Sequence, residues 1–248
     1  MNLNLLFLIK ELGAKISKFS FLDKLFRPFW IKYVNYLKKK KNIAFRVNAL
    51  LVLKEFDRCM VENKVPYMLT FGSLLGAVRE KGFIKHDRDI DVMIFIENRR
   101  NDLQLFLGRA GFKLIRRFSI ENEKYGCEES YIYKKTGVQI DIFFIYPTID
   151  NYPYVCCWNN FEDCVTWRES MKRHGGVIPR RIEFPVDKSI VYVPFESILM
   201  PIPQNAHQIL EFIYGEDYMI PRVGKRVSPY MEHRYIWREK LATYTSYL

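Results

Sequence analysis

A chain of 248 residues that is 49% hydrophobic and 16% aromatic is long enough to bury a core and too apolar for a disordered tail. Its net charge of +11 is uneven: residues 1–41 carry ten Lys and Arg against two Asp and Glu, a local +8, while the remainder is close to balanced. Nucleic-acid binders spread basic residues over a folded face, so this distribution argues against one and for a near-balanced folded domain, 42–248, behind a basic arm, 1–41.

The arm comes first. Its apolar run Leu3–Ile9 is too short for a spanning helix, which needs about 20 residues, and Lys10 and Glu11 follow it without the small-residue cleavage site of a signal peptide. Beyond it, Phe19, Phe21, Leu22, Leu25, Phe26, Phe29 and Trp30 alternate with Lys15, Lys18, Lys24, Arg27 and Lys32, and the segment ends in Lys38–Lys41. This composition suits a helix lying in an anionic lipid interface; the plainer alternative is a surface helix packed on the body. The five cysteines, Cys59, Cys127, Cys156, Cys157 and Cys164, show no disulfide framework, and adding His174 yields no zinc-ligand spacing. Arm and cysteines together predict a cytoplasmic protein held peripherally on the inner face of the plasma membrane.

In the body, Val47, Leu50, Leu53, Phe56 and Met60 follow a helical period and predict a helix over 43–62. Tyr67–Phe71 reads as a short buried strand, Gly72-Ser73 as a break, and Leu74–Glu80 as a helix stopped by Gly82. Asp89–Ile96 is a strand with an acidic edge, followed by a helix from an Asn98 N-cap to Ala110. Strands follow at Phe112–Ile120, Ser130–Lys135 and, after a Thr136-Gly137 turn, Val138–Tyr146. Residues 148–188 read as loops with short elements. Within them His174-Gly175-Gly176 and Arg180-Arg181 read as ordinary surface, with a substrate loop as the alternative. Ile190–Val193 is a strand, and Ala206–Tyr214 and Met231–Tyr244 are helices.

The chemistry concentrates in three places. Asp89 and Asp91, two apart on a strand, share a face, and two carboxylates forced together repel unless a cation lies between them. Mg²⁺ takes such oxygens together with substrate phosphates; Mn²⁺ would serve as well. Asp141, alone in the apolar run Gln139–Phe144, is costly to bury unpaired and is satisfied by joining that cation, or it acts as the base for an acceptor hydroxyl. Gly72-Ser73, between strand and helix, offers close backbone approach, free N–H groups and a hydroxyl to a phosphate. The expected catalytic residues are Asp89, Asp91 and Asp141. Asp87 joins them as a metal ligand, and Gly72, Ser73, Arg79 and Lys85 bind the donor.

The runs Gly72–Arg79, Lys81–Ile84 and Asp87-x-Asp89-Ile90-Asp91, with Gln139–Phe144 and, more loosely, Pro203-x-Asn205 and Tyr214–Pro221, resemble the LicD family, which includes fukutin and fukutin-related proteins. The resemblance covers about residues 44–221. It implies an α/β (α+β) nucleotidyltransferase fold with a mixed sheet and flanking helices. It also implies transfer of a phospho-alcohol, such as phosphocholine or a polyol phosphate, from a CDP-alcohol donor to a glycan or lipid-linked glycan. The family's usual Trp and middle acid are replaced here by His86 and Arg88, while the alternating acids Asp87, Asp89 and Asp91 remain. The alternatives are nucleotidyl transfer to a small molecule, protein or RNA end, and a non-catalytic scaffold marked by Arg88.

Overall fold

The computed structural model describes residues 20–85, 87–221 and 234–247. Helix α1 (Ser20–Glu62) has 43 residues and runs about 65 Å at 1.5 Å per residue. It passes through 41 and 42 without interruption, so residues 20–41 of the basic arm and the first helix of the body are one element. Phe45, Ala49, Val52 and Phe56, spaced by four, three and four, form its buried face, and the Phe56 ring meets Tyr67 and Phe112 edge-on. Phe45, Val52 and Phe56 each contribute roughly 1.5–3 kcal/mol on burial, which holds the C-terminal half of the helix to the body. The interfacial rings expected of Phe19, Phe21, Phe26, Phe29 and Trp30 lie outside the described side chains. Among the described residues no helix is long and apolar enough to cross a membrane.

After α1 the chain forms β1 (Met68–Leu69), α2 (Phe71–Arg79), β2 (Asp89–Phe95), α3 (Leu103–Arg109), β3 (Phe112–Ile120), β4 (Gly126–Tyr133) and β5 (Gln139–Ile145). It continues with β6 (Tyr154–Asn159), α4 (Trp167–His174), β7 (Ile178–Glu183), the hairpin β8 (Ile190–Phe195) and β9 (Ile198–Pro203), α5 (Ala206–Tyr214), β10 (Arg234–Ile236) and β11 (Thr243–Ser246). The main sheet has the order β1-β2-β5-β4-β3-β11, with β2 and β5 parallel and its other pairs antiparallel. A smaller antiparallel sheet has the order β10-β7-β6. This is the mixed sheet with flanking helices expected of an α+β, nucleotidyltransferase-like chain.

Alternation along the central strands sorts the two faces of the main sheet. Ile90, Val92 and Ile94 on β2 and Ile140, Ile142 and Phe144 on β5 are fully buried on the face toward α1 and α3. The other face carries Asp89, Asp91 and Met93 on β2, then Gln139, Asp141 and Phe143 on β5, then Glu128, Ser130 and Ile132 on β4. On β3 the register shifts between Leu114 and Arg116. Ile115 is the extra residue of a bulge, and it reverses the parity of the rest of the strand: Leu114 sits opposite Tyr131, but Arg116 sits opposite Ser130, on the acidic face.

Several expectations need correcting. Met231–Tyr244 is not a helix: its described part forms β10 and the start of β11, because Arg234–Ile236 pairs with β7 and Thr243–Ser246 with the edge of β3. Partner edges outweigh local preference there. Asn98 ends a 3₁₀ turn (Ile96–Asn98), and α3 starts only at Leu103. Helix α2 begins at Phe71, so Gly72 and Ser73 lie in its first turn rather than before it. β4 starts at Gly126, four residues before the strand expected at Ser130. The 148–188 stretch holds β6, α4 and β7, and Arg181 is structural: it pairs with Asp150 and packs over Trp237.

Candidate active site

The acids converge where β2, β5 and the start of α2 meet. Asp91 is fixed at three points by the turn from β1 into α2. Thr70 N–H donates to the Asp91 carbonyl (3.1 Å), Ser73 Oγ accepts from Asp91 N–H (2.9 Å), and Gly72 N–H donates to the Asp91 carboxylate. Phe71, at φ 42°, turns the chain in the left-handed region, where a bulky residue is strained, and its ring is locked edge-on against Phe143 and Phe184. The Gly-Ser pair, expected to grip phosphate, thus positions Asp91; the buried Ser73 hydroxyl retains one proton to donate.

Asp87 closes the other side. Its N–H donates to Ile84 O, and its Oδ2 accepts from Ile84 N–H at 3.1 Å. That tight turn aims Oδ1 back over Gly72. A Cβ on Gly72 would lie 3.5 Å from Asp87 Oδ1 and 3.3 Å from Asp91 Oδ2, so the bare Cα floors the gap between two carboxylates. Asp89 opens β2 beside Gln139, and Asp91 stands beside Asp141 in the parallel register. The Asp91 carboxyl is pushed well above its ordinary range, first by lost solvation, then by the charges of Asp89, Asp141 and Asp87, with the Gly72 N–H opposing.

Asp141 is buried but satisfied. Gln139 Nε2 donates to both its oxygens (2.8 and 3.0 Å), and Arg116 NH2 approaches both at 3.4 Å. Arg116, delivered to this face by the bulge, also reaches Glu128 Oε1 at 3.6 Å and lies 5.3 Å from the centroid of the Trp167 ring. Trp158 Nε1 donates to Glu128 Oε2 at 2.6 Å while its ring stacks on Phe118. Burial, followed by the charges of Asp141 and Asp89, raises the Glu128 carboxyl to about 7 against the pull of Arg116 and the Trp158 hydrogen bond.

This gives a pH-dependent stability with a defined sign. A carboxyl raised from 4.5 to about 7 on folding favours the folded state when protonated. That contribution is fully present below pH 4.5 and is lost as pH rises through 7; across the window it amounts to about 3 kcal/mol. In EDTA, the stability of Glu128→Gln relative to the parent protein should therefore increase from pH 4.5 to pH 8. Parallel urea titrations of the two proteins check it, and a constant difference would refute the assignment.

The other expected donor ligands lie apart. Arg79 is at the far end of α2, about 10 Å along its axis from Gly72, and its guanidinium is engaged by Glu80 (2.8 Å) and the carbonyl of Tyr218 (3.2 Å). It clamps the chain after α5. Lys85 is exposed on the turn that carries Asp87. Residues that sequence reasoning missed are Arg116, Glu128, Gln139 and Trp158. Arg116 and Gln139 are charged and amide positions inside predicted strands, a signal that could have been used, whereas Glu128 and Trp158 lie outside every predicted strand.

The donor set of Asp87, Asp89, Asp91 and Asp141 fits a hard divalent cation. It offers oxygen ligands only, with Arg116 at 3.4 Å from Asp141. Among the described residues, three ligand atoms lie within 4.8 Å of one another at Asp163, Cys164 and His174 and at Glu123, Cys127 and Glu129, where arginines already pair with the acids. Asp87, Asp89, Asp91 and Asp141 do not bring three ligand atoms within that distance of one another. Gly72→Val should spread Asp87 and Asp91. Mn²⁺ affinity measured by calorimetry is expected to fall at least about ten-fold with little change in melting temperature. Unchanged affinity would count against the pairing of these two acids.

The acidic cluster therefore lies on the mixed sheet, at the turn that carries Gly72 and Ser73. In comparison with known proteins, the family described as LicD/FKTN/FKRP, nucleotidyltransferase domain, matches residues 64–205. The chain is 25% identical over 198 residues to ribitol-5-phosphate transferase FKTN of Homo sapiens, covering 79% of this chain and 39% of that protein. It is 28% identical over 154 residues to ribitol 5-phosphate transferase FKRP of Homo sapiens, covering 61% and 28%. This chain belongs to the LicD/FKTN/FKRP family. Its matched region spans about two-fifths of the length of FKTN.

Proposed function

We propose that this chain transfers a phospho-alcohol, a polyol phosphate or phosphocholine, from a CDP-alcohol to a glycan or lipid-linked glycan. The observation that carries this reading is the three-point fixation of Asp91 among Asp87, Asp89 and Asp141. Family membership and the names of the FKTN and FKRP relatives as ribitol-phosphate transferases support it. Bound Mg²⁺ or Mn²⁺ would neutralise the donor diphosphate and the departing CMP. Asp87, Asp89 and Asp91 would hold the cation, with Asp141 alongside. With both oxygens already accepting from Gln139, Asp141 is better suited to a ligand's role than to taking a proton. Phosphoryl transfer asks mainly for positioning and charge, and a rigid acidic wall supplies both. The residue Arg88 leaves the alternating acids in place, which favours catalysis over a scaffold.

The basic arm, in the same proposal, holds the enzyme at the inner face of a membrane. Exposed Tyr36, Ile43 and Val47 extend its apolar character along the outer side of α1, with Lys39 and Lys40 exposed beside them. The test of the chemistry is product analysis with CDP-ribitol or CDP-choline, Mg²⁺ and a glycan acceptor. Release of CMP is expected. Pyrophosphate from a nucleoside triphosphate would instead establish nucleotidyl transfer, and failure to bind any divalent ion would establish a scaffold.

A further inference from the structure

Helix α1 does more than lead up to the body, because it forms part of the wall of the acidic site. Asn42 Nδ2 donates to the backbone carbonyl of Asp87 at 3.3 Å. One residue earlier, Lys41 Nζ donates to Gln139 Oε1 at 3.4 Å, and the same amide holds both oxygens of Asp141 through Nε2. The Lys41 ammonium is therefore one side chain removed from Asp141, through Gln139, the strand residue that pairs with Asp89. It is half-buried, and among the described residues it makes no ion pair.

That state is unusual for a lysine beside four aspartates. An ammonium carries three donors, and here the assigned acceptor is one neutral amide oxygen at long range. Close attachment to a carboxylate would have satisfied it; it stands off instead. Two other cations expected at the site are placed differently: Arg79 is committed to Glu80 and Tyr218, and Lys85 is exposed. A diphosphate held through a metal ion on the acids still has oxygens left for a second positive group, and Lys41 stands beside those acids with no ion pair among the described residues.

We propose that Lys41 is a ligand of the donor's diphosphate; this rests on the CDP-alcohol reading above. The last lysine of the basic run is then part of the site, and one continuous helix ties residues 20–41 to it. Removing residues 1–41 would accordingly damage donor binding directly.

The test is calorimetry of CDP with Mg²⁺ on the full chain and on Lys41→Gln, Lys41→Arg and, as a charge-matched control on an exposed position of α1, Arg46→Gln. Lys41→Gln should weaken CDP binding roughly ten-fold, Lys41→Arg should restore most of it, and Arg46→Gln should leave it unchanged. In turnover, the loss should appear in the KM for the donor more than in kcat. Equal CDP affinity in the parent and Lys41→Gln overturns the proposal while leaving the functional reading intact. Equal loss in Lys41→Gln and Arg46→Gln overturns it too, since general charge would then explain the effect. No CDP binding by the parent protein overturns the functional reading, and the proposal with it.

Discussion

Asp91→Asn is expected to lower transfer by at least about 10³-fold while the protein melts at or above the temperature of the parent. The two effects have one cause. Asp91 stands partly desolvated among Asp87, Asp89 and Asp141, and its carboxyl is pushed well above the ordinary range. Without a cation that crowding opposes folding; with one, it supplies the affinity. Asn keeps an oxygen to accept the Gly72 N–H and leaves the backbone bonds from Thr70 and to Ser73 untouched, so the turn should persist. CMP release and a thermal melt on the same preparation check both halves. Turnover within ten-fold of the parent would remove Asp91 from the site.

The second large effect lies one residue from the site but on the opposite face. Glu129→Leu should cost about 3–5 kcal/mol, lowering the melting temperature by roughly 10 °C or more. Glu129 is fully buried and accepts from Arg99 (2.9 Å), Arg117 (2.6 and 2.8 Å) and Tyr131 OH (2.6 Å). Its loss strands two guanidinium groups under the sheet with Glu123 as their remaining acid partner, at 2.8 and 3.5 Å. Replacing all three charges by apolar residues should cost less than the single change, because the penalty is the unpaired charge rather than the missing bond. Denaturant titration of single and triple variants checks this, and a single variant within 1 kcal/mol of the parent would contradict it.

What could be read before the structure depended on how local each feature is. Asp89 and Asp91 share a face because a strand alternates, and Asp141 stands out because its neighbours are apolar; neither inference needs tertiary information. Gly72-Ser73 was legible as a special turn, yet its use was not, since that depends on β1 lying beside β2. Arg116 was hidden for a sharper reason. Simple alternation from Leu114 puts it on the wrong face, and only the Ile115 bulge brings it to Asp141. Glu128 and Glu129 look interchangeable in sequence, whereas pairing with β5 sends one to the site and the other to the core. The helix expected at Met231–Tyr244 failed because β3 and β7 each had an edge to offer. The contacts of Arg79 with Glu80 and the Tyr218 carbonyl depend on the chain after α5 folding back onto α2, which local sequence does not show.

The parallel pairing of β2 with β5 has a temporal side. Asp91 and Asp141 become neighbours only when two strands about fifty residues apart in the chain lie in register, and such long-range pairs close late. Until then the acids of β2 are ordinary solvated side chains with little hold on a cation. The acidic cluster is therefore complete only once β5 has joined the sheet, whatever local shape β2 has reached alone.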